Sequence, residues 1–174
     1  MKKDKYFIDH IEMIANRYAN LLVNTDPIIS HFKDELNERF LVIIARYEET
    51  TRVYGLMKLL NLRTSNKQSY MIILNATYFK TIDKDHLQYE ILRTVAHEIF
   101  HMCQHLYIWR LYDYKESKLE ALRLVNRFHK KSNKSKTKRE IAPRMFEVGL
   151  LNDYNSFIDY MHESLDLLDD ELKE

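Results

Sequence analysis

At 174 residues the chain has the length of a single domain. With 45% hydrophobic and 12% aromatic residues it carries enough apolar area to exclude wholesale disorder. Two glycines and two prolines leave little material for Gly-rich phosphate cradles or for the many tight turns of an all-β fold. The balance of 27 basic against 26 acidic side chains, a formal charge of +1, provides no global field toward nucleic acid or anionic lipid, and the single Cys103 excludes a disulfide framework and a zinc finger or ribbon.

In chain order, Tyr6 to Val23 places Phe7, Ile11, Ile14, Tyr18, Leu21 and Leu22 at three- and four-residue spacings, which predicts an amphipathic helix. Asp26 and Pro27 read as an N-cap and a first-turn proline opening a second helix to about Asn37. Phe40 to Tyr47, Val53 to Leu62 and Tyr70 to Leu74 are apolar and β-rich with polar connectors between them, which predicts a small three-stranded antiparallel sheet. Gly55 within the second stretch signals a bulge or a close approach of backbone.

Asp83 or Asp85 can cap the longest element, a helix over Leu87 to about Tyr112. At 100° per residue, Ile91, Leu92, Val95, Ile99, Phe100, Met102, Cys103 and Leu106 form a broad apolar side. Glu90, Thr94, His97, Glu98, His101 and His105 share a compact polar side. Asp113 and Glu116 have capping-box spacing for a helix from Tyr114 to about Lys130. The stretch Lys130 to Arg139 is polar and basic and reads as a loop, and helical patterning resumes in a C-terminal segment, 140–174, through Phe157, Ile158, Met161, Leu165 and Leu168. Residues 1–174 are thus read as one α+β, mostly helical domain with its core at about 32–130.

The chemistry concentrates in His97-Glu98-Ile99-Phe100-His101, an HExxH pattern inside the long helix. Histidines at i and i+4 lie about 40° apart around the axis, so both imidazoles can reach one ion. Glu98 is offset by about 100°, where its carboxylate can serve as a general base beside the metal without ligating it. A catalytic zinc takes three protein ligands. His105 lies two turns from His97 and is too far along a straight helix to close the set, which assigns it to the surroundings of the metal or to the surface. Glu120, on the following predicted helix and 19 positions beyond His101, is taken as the third ligand, with Glu116, His129 and His162 as alternatives.

The order helix, sheet, HExxH helix, glutamate helix resembles the minimal zincin metallopeptidases, and HExxH followed after 18 residues by Glu120 resembles the gluzincin arrangement. Phe32 to Phe40 with the following sheet resembles the SprT-like proteins, and Glu120-Ala121 resembles the ImmA/IrrE type. The chain differs from the former in having no histidine at the third-ligand distance and no cysteine ribbon. It differs from the latter in having Met102-Cys103-Gln104 where small residues are usual. The resemblance implies a zincin-like fold, one Zn2+ ion, hydrolysis of peptide bonds, and pairing of an extended protein or peptide substrate with the edge strand just before the active-site helix, here Tyr70 to Leu74.

Two other functions are compatible with the pattern. One is a non-catalytic zincin-scaffold interaction protein; the other is a helical nucleic-acid-binding protein using the basic 130–139 loop. Cys103 reads as a buried thiol, Trp109 and the tyrosines as core and boundary residues, and Asp166 to Glu174 as a fraying acidic terminus. The longest apolar run, Phe40 to Ala45, is far short of the ~20 residues that span a bilayer, and Met1 to Asp9 is charged with no apolar stretch after it. The expectation is a cytoplasmic protein without a membrane partner.

Overall fold

The computed structural model describes residues 2–38, 41–49, 53–61, 68–111, 141–147, 149 and 151–170. The predicted Tyr114 to Lys130 helix and the basic stretch Lys130 to Arg139 lie outside them. The chain divides into two compact units, Met1–Ile99 and Phe100–Glu174. Among the described residues the fold is mostly helical with one small sheet, and no helix is long and apolar enough to cross a membrane.

In the first unit, helix α1 (Lys2–Thr25) buries Ile11, Ala15, Ala19 and Leu22, a stripe at spacings of four, four and three. The stripe runs through two alanines rather than through Phe7, Ile14, Tyr18 and Leu21, and Leu21 is 54% exposed. Asp26 Oδ1 accepts from the N–H groups of Ile28 and Ile29, both at 2.9 Å, and starts a turn of 3-10 helix (Ile29–Phe32) that passes into α2 (Lys33–Glu38). The second helix is therefore present, but its first turn is the tighter form.

Strands β1 (Leu41–Arg46), β2 (Gly55–Asn61) and β3 (Gln68–Asn75) form the sheet. The expected antiparallel sheet is a mixed one: the strand order is β1-β3-β2, with β1 parallel and β2 antiparallel to β3. The strand expected at the edge, Tyr70 to Leu74, is central. Burial explains this. Tyr70, Ile72 and Leu74 are fully buried on one face and Ile73 on the other is 4% exposed, so β3 is apolar on both faces. By contrast β2 exposes Leu56 and Lys58, as an edge strand can. The register Ile43↔Ile72↔Met57 and Ala45↔Leu74↔Gly55 defines the inner face.

A short helix α3 (Ala76–Phe79), unmarked in the sequence reading, follows β3 directly. Asn75 caps it, accepting from the N–H groups of Thr77 and Tyr78, and its Nδ2 donates to Val53 O at 2.6 Å. Helix α4 (Lys84–Leu111) then runs for 28 residues; its residues up to Ile99 belong to the first unit and those from Phe100 to the second.

In the second unit, α5 (Ile141–Glu147) is followed by Gly149, whose φ of 71° is a left-handed conformation suited to glycine at a helix end. Helix α6 (Tyr154–Asp170) confirms the predicted tail helix and buries Phe157, Met161 and Leu165. Phe157 is the hub of an aromatic cluster, with its ring 5.4 Å from that of Phe100 and 5.6 Å from that of Tyr107, both edge-on.

Candidate active site

The HExxH residues stand on α4, and the relation of His97 to His101 is that of one uninterrupted helix: about 40° of rotation and about 6 Å of rise. The expected polar side of this helix is as buried as its apolar side. Every residue from Thr94 to Trp109 is buried, including His97 and Glu98 at 6% exposure, His101 at 2% and His105 at 1%. His105 is thus an interior residue and not a surface one. A reading of these residues as a solvated helix face is excluded.

Burial of so many polar groups on one helix is costly unless each is satisfied. His101 Nδ1 lies 2.8 Å from Gln104 Oε1. With the amide oxygen as acceptor, Nδ1 is the donor, which leaves Nε2 as the ring nitrogen that can ligate a metal. Gln104 is fully buried and one turn from His101, and the sequence reading passed over it; its i+3 spacing was the available signal. Glu98 Oε2 accepts from Met57 N–H at 2.7 Å, a contact across 41 positions that no local pattern announces. Ionised carboxylates offer about four acceptor positions, and this bond takes one.

Gly55 is the close approach that the sequence suggested. A Cβ there would lie 2.5 Å from Thr94 Cγ2 and 3.1 Å from Glu98 Oε1, so β2 meets α4 where only hydrogen fits. The opposite edge of the sheet repeats the device without a glycine: Glu12 Oε1 of α1 accepts from Ala45 N–H of β1 at 2.7 Å.

Glu120, the expected third ligand, lies outside the described residues, as do Glu116 and His129. His162 is described: it is exposed on α6, and its Nε2 lies 2.6 Å from Tyr107 Oη. Burial, then the nearby Tyr154 and Asp159, push the Tyr107 hydroxyl above its usual pKa of 10.0, which keeps it a hydrogen-bond donor. Among the described residues no group of three or more His, Cys, Asp or Glu side chains could hold a metal ion. The pair of imidazoles nonetheless fits two of three zinc positions in donor type and helix spacing. Cys103 is fully buried, as expected. In comparisons with protein-family models, curated proteins and solved structures, the chain has no match.

Proposed function

We propose that this protein is a zinc-dependent peptidase in which His97 and His101 bind the metal, Glu98 is the general base and Glu120 is the third ligand. The observation that carries the reading is the burial of His97, Glu98 and His101 at i, i+1 and i+4 of one helix. An acid and two imidazoles have no reason to leave water together unless the site repays their desolvation, and joint service to a cation does so. A zinc ion held there would lower the pKa of a water toward ~7 and polarise a substrate carbonyl.

The chain's own groups then have defined tasks. Glu98 takes the proton of the attacking water on a carboxylate oxygen and delivers it to the nitrogen of the leaving amine. Met57 N–H holds Oε2 and so limits rotation of that carboxylate. Gln104 holds the His101 ring in one orientation. An extended peptide cannot add to β3, because β1 and β2 occupy both of its sides.

Metal analysis of the purified protein with a peptidase assay tests the reading. The expected result is about one equivalent of zinc, lost in His97→Ala, weakened in Glu120→Ala, and retained in Glu98→Gln with hydrolysis abolished. Absence of zinc from a folded wild-type chain refutes it. A second reading, a non-catalytic scaffold protein that binds a partner, draws support from the likeness of the Glu98–Met57 bond to the Glu12–Ala45 bond, in which a glutamate simply caps a strand edge. Zinc binding without cleavage of unstructured protein substrates would favour it.

A further inference from the structure

We infer that edge strand β2 is the positioning element for Glu98, and that Gly55 is the residue that lets the strand come close enough to serve. The inference rests on the peptidase reading and adds to it a positioning residue outside the HExxH pattern.

The direction of the Met57 N–H follows from the ladder. Asn75 N–H donates to Tyr54 O at 3.0 Å, which makes Tyr54/Asn75 a hydrogen-bonded pair of the antiparallel strands. Such pairs alternate, so Leu56/Ile73 and Lys58/Met71 are hydrogen-bonded as well, and the N–H groups of Gly55 and Met57 point away from β3. An outward amide on an edge strand is ordinarily left to water. That of Met57 is instead committed at 2.7 Å to the one carboxylate of the HExxH pattern.

Gly55 sits two residues earlier on the same strand, about 6.6 Å away, and on the inner face. The atoms a side chain would meet there are Thr94 Cγ2 at 2.5 Å and Glu98 Oε1 and Cγ at 3.1 and 3.3 Å. Thr94 is poorly able to give way. It is β-branched, and its Oγ1 donates to Glu90 O at 2.8 Å, which ties its rotamer to the preceding turn. A methyl group at position 55 must therefore push β2 off α4 or turn Glu98 aside, and either movement loosens the Met57 N–H bond. Misplacement of a reacting group by about 1 Å can cost on the order of 100-fold in rate. The cost falls on the chemical step, since neither histidine is among the atoms displaced.

The experiment compares the full wild-type chain with Gly55→Ala, Gly55→Ala/Thr94→Ser and Glu98→Ala. Zinc content, kcat and KM on an unstructured peptide, and residue-resolved amide hydrogen exchange are measured. Gly55→Ala is expected to keep its zinc and its KM within about twofold while kcat falls roughly 100-fold. In both Gly55→Ala and Glu98→Ala the Met57 amide is expected to exchange at least about tenfold faster, with Leu56 and Lys58 still protected by the ladder. Serine at 94 removes the clashing Cγ2 and keeps the hydroxyl, so the double variant is expected to recover most of the lost kcat. A wild-type enzyme that cleaves peptide while folded Gly55→Ala keeps the same kcat overturns the positioning role alone. So does a Met57 amide as protected in Glu98→Ala as in wild type, a readout that stands even if Gly55→Ala fails to fold. A wild-type chain that neither binds zinc nor cleaves peptide sinks the peptidase reading, and the positioning role falls with it.

Discussion

Replacing Gln104 by methionine isolates what a buried amide contributes to the proposed metal site. Methionine keeps the length and approximate volume of the side chain and removes the oxygen 2.8 Å from His101 Nδ1. Both residues are interior, at 0% and 2% exposure, so water cannot readily replace that acceptor. Withdrawing it from a buried N–H costs about 1–3 kcal/mol of fold stability. The imidazole also loses the restraint on its tautomer and ring orientation. Loss of such a partner typically weakens metal binding 10- to 100-fold, which is about 1.4–2.7 kcal/mol. Competition titration against a chromophoric chelator reads the zinc affinity directly, and denaturant unfolding in excess chelator reads the apo-protein cost separately. Gln104→Glu, which keeps the acceptor and adds charge, is expected to bind zinc at least as well as wild type. The reasoning is refuted if Gln104→Met binds zinc within twofold of wild type while His101→Ala does not bind it.

Two further outcomes follow from packing and charge. Phe157→Ala removes the fully buried centre of the second unit's aromatic cluster and is expected to cost about 3–5 kcal/mol in denaturant unfolding; a loss under ~1 kcal/mol would contradict the packing described. Asp4 is held down to about 2, first by its hydrogen bond to Lys80, at 2.7 Å, and also by that from Tyr47. A carboxyl depressed on folding stabilises above its unfolded value near 3.8, and that contribution is lost as pH falls from there through about 2. Unfolding curves of wild type and Asp4→Asn should therefore differ slightly at neutral pH and converge across that acid window. The difference should shrink with salt because the pair is exposed.

What sequence alone determined is what short-range geometry determines. The period of 3.6 residues located α1, α4 and α6, and the same period set the angle between His97 and His101, since a helix relates residues four apart wherever it is packed. The apolar runs located three strands, and the cap at Asp26 was written in two adjacent residues. Strand order was not local information. Short connectors suggested a simple antiparallel succession, yet β3, buried on both faces, took the centre, while β1 and β2 each keep a face that is less buried. Nor could periodicity tell a solvated polar face from a buried one: the spacing of residues along α4 shows which of them share a side, whereas burial depends on what covers it. The bond from Met57 to Glu98 and the tight seat of Gly55 against Thr94 join residues about 40 positions apart. Such contacts exist only once sheet and helix have been brought together, so tertiary structure alone decided how the carboxylate of the HExxH pattern is held.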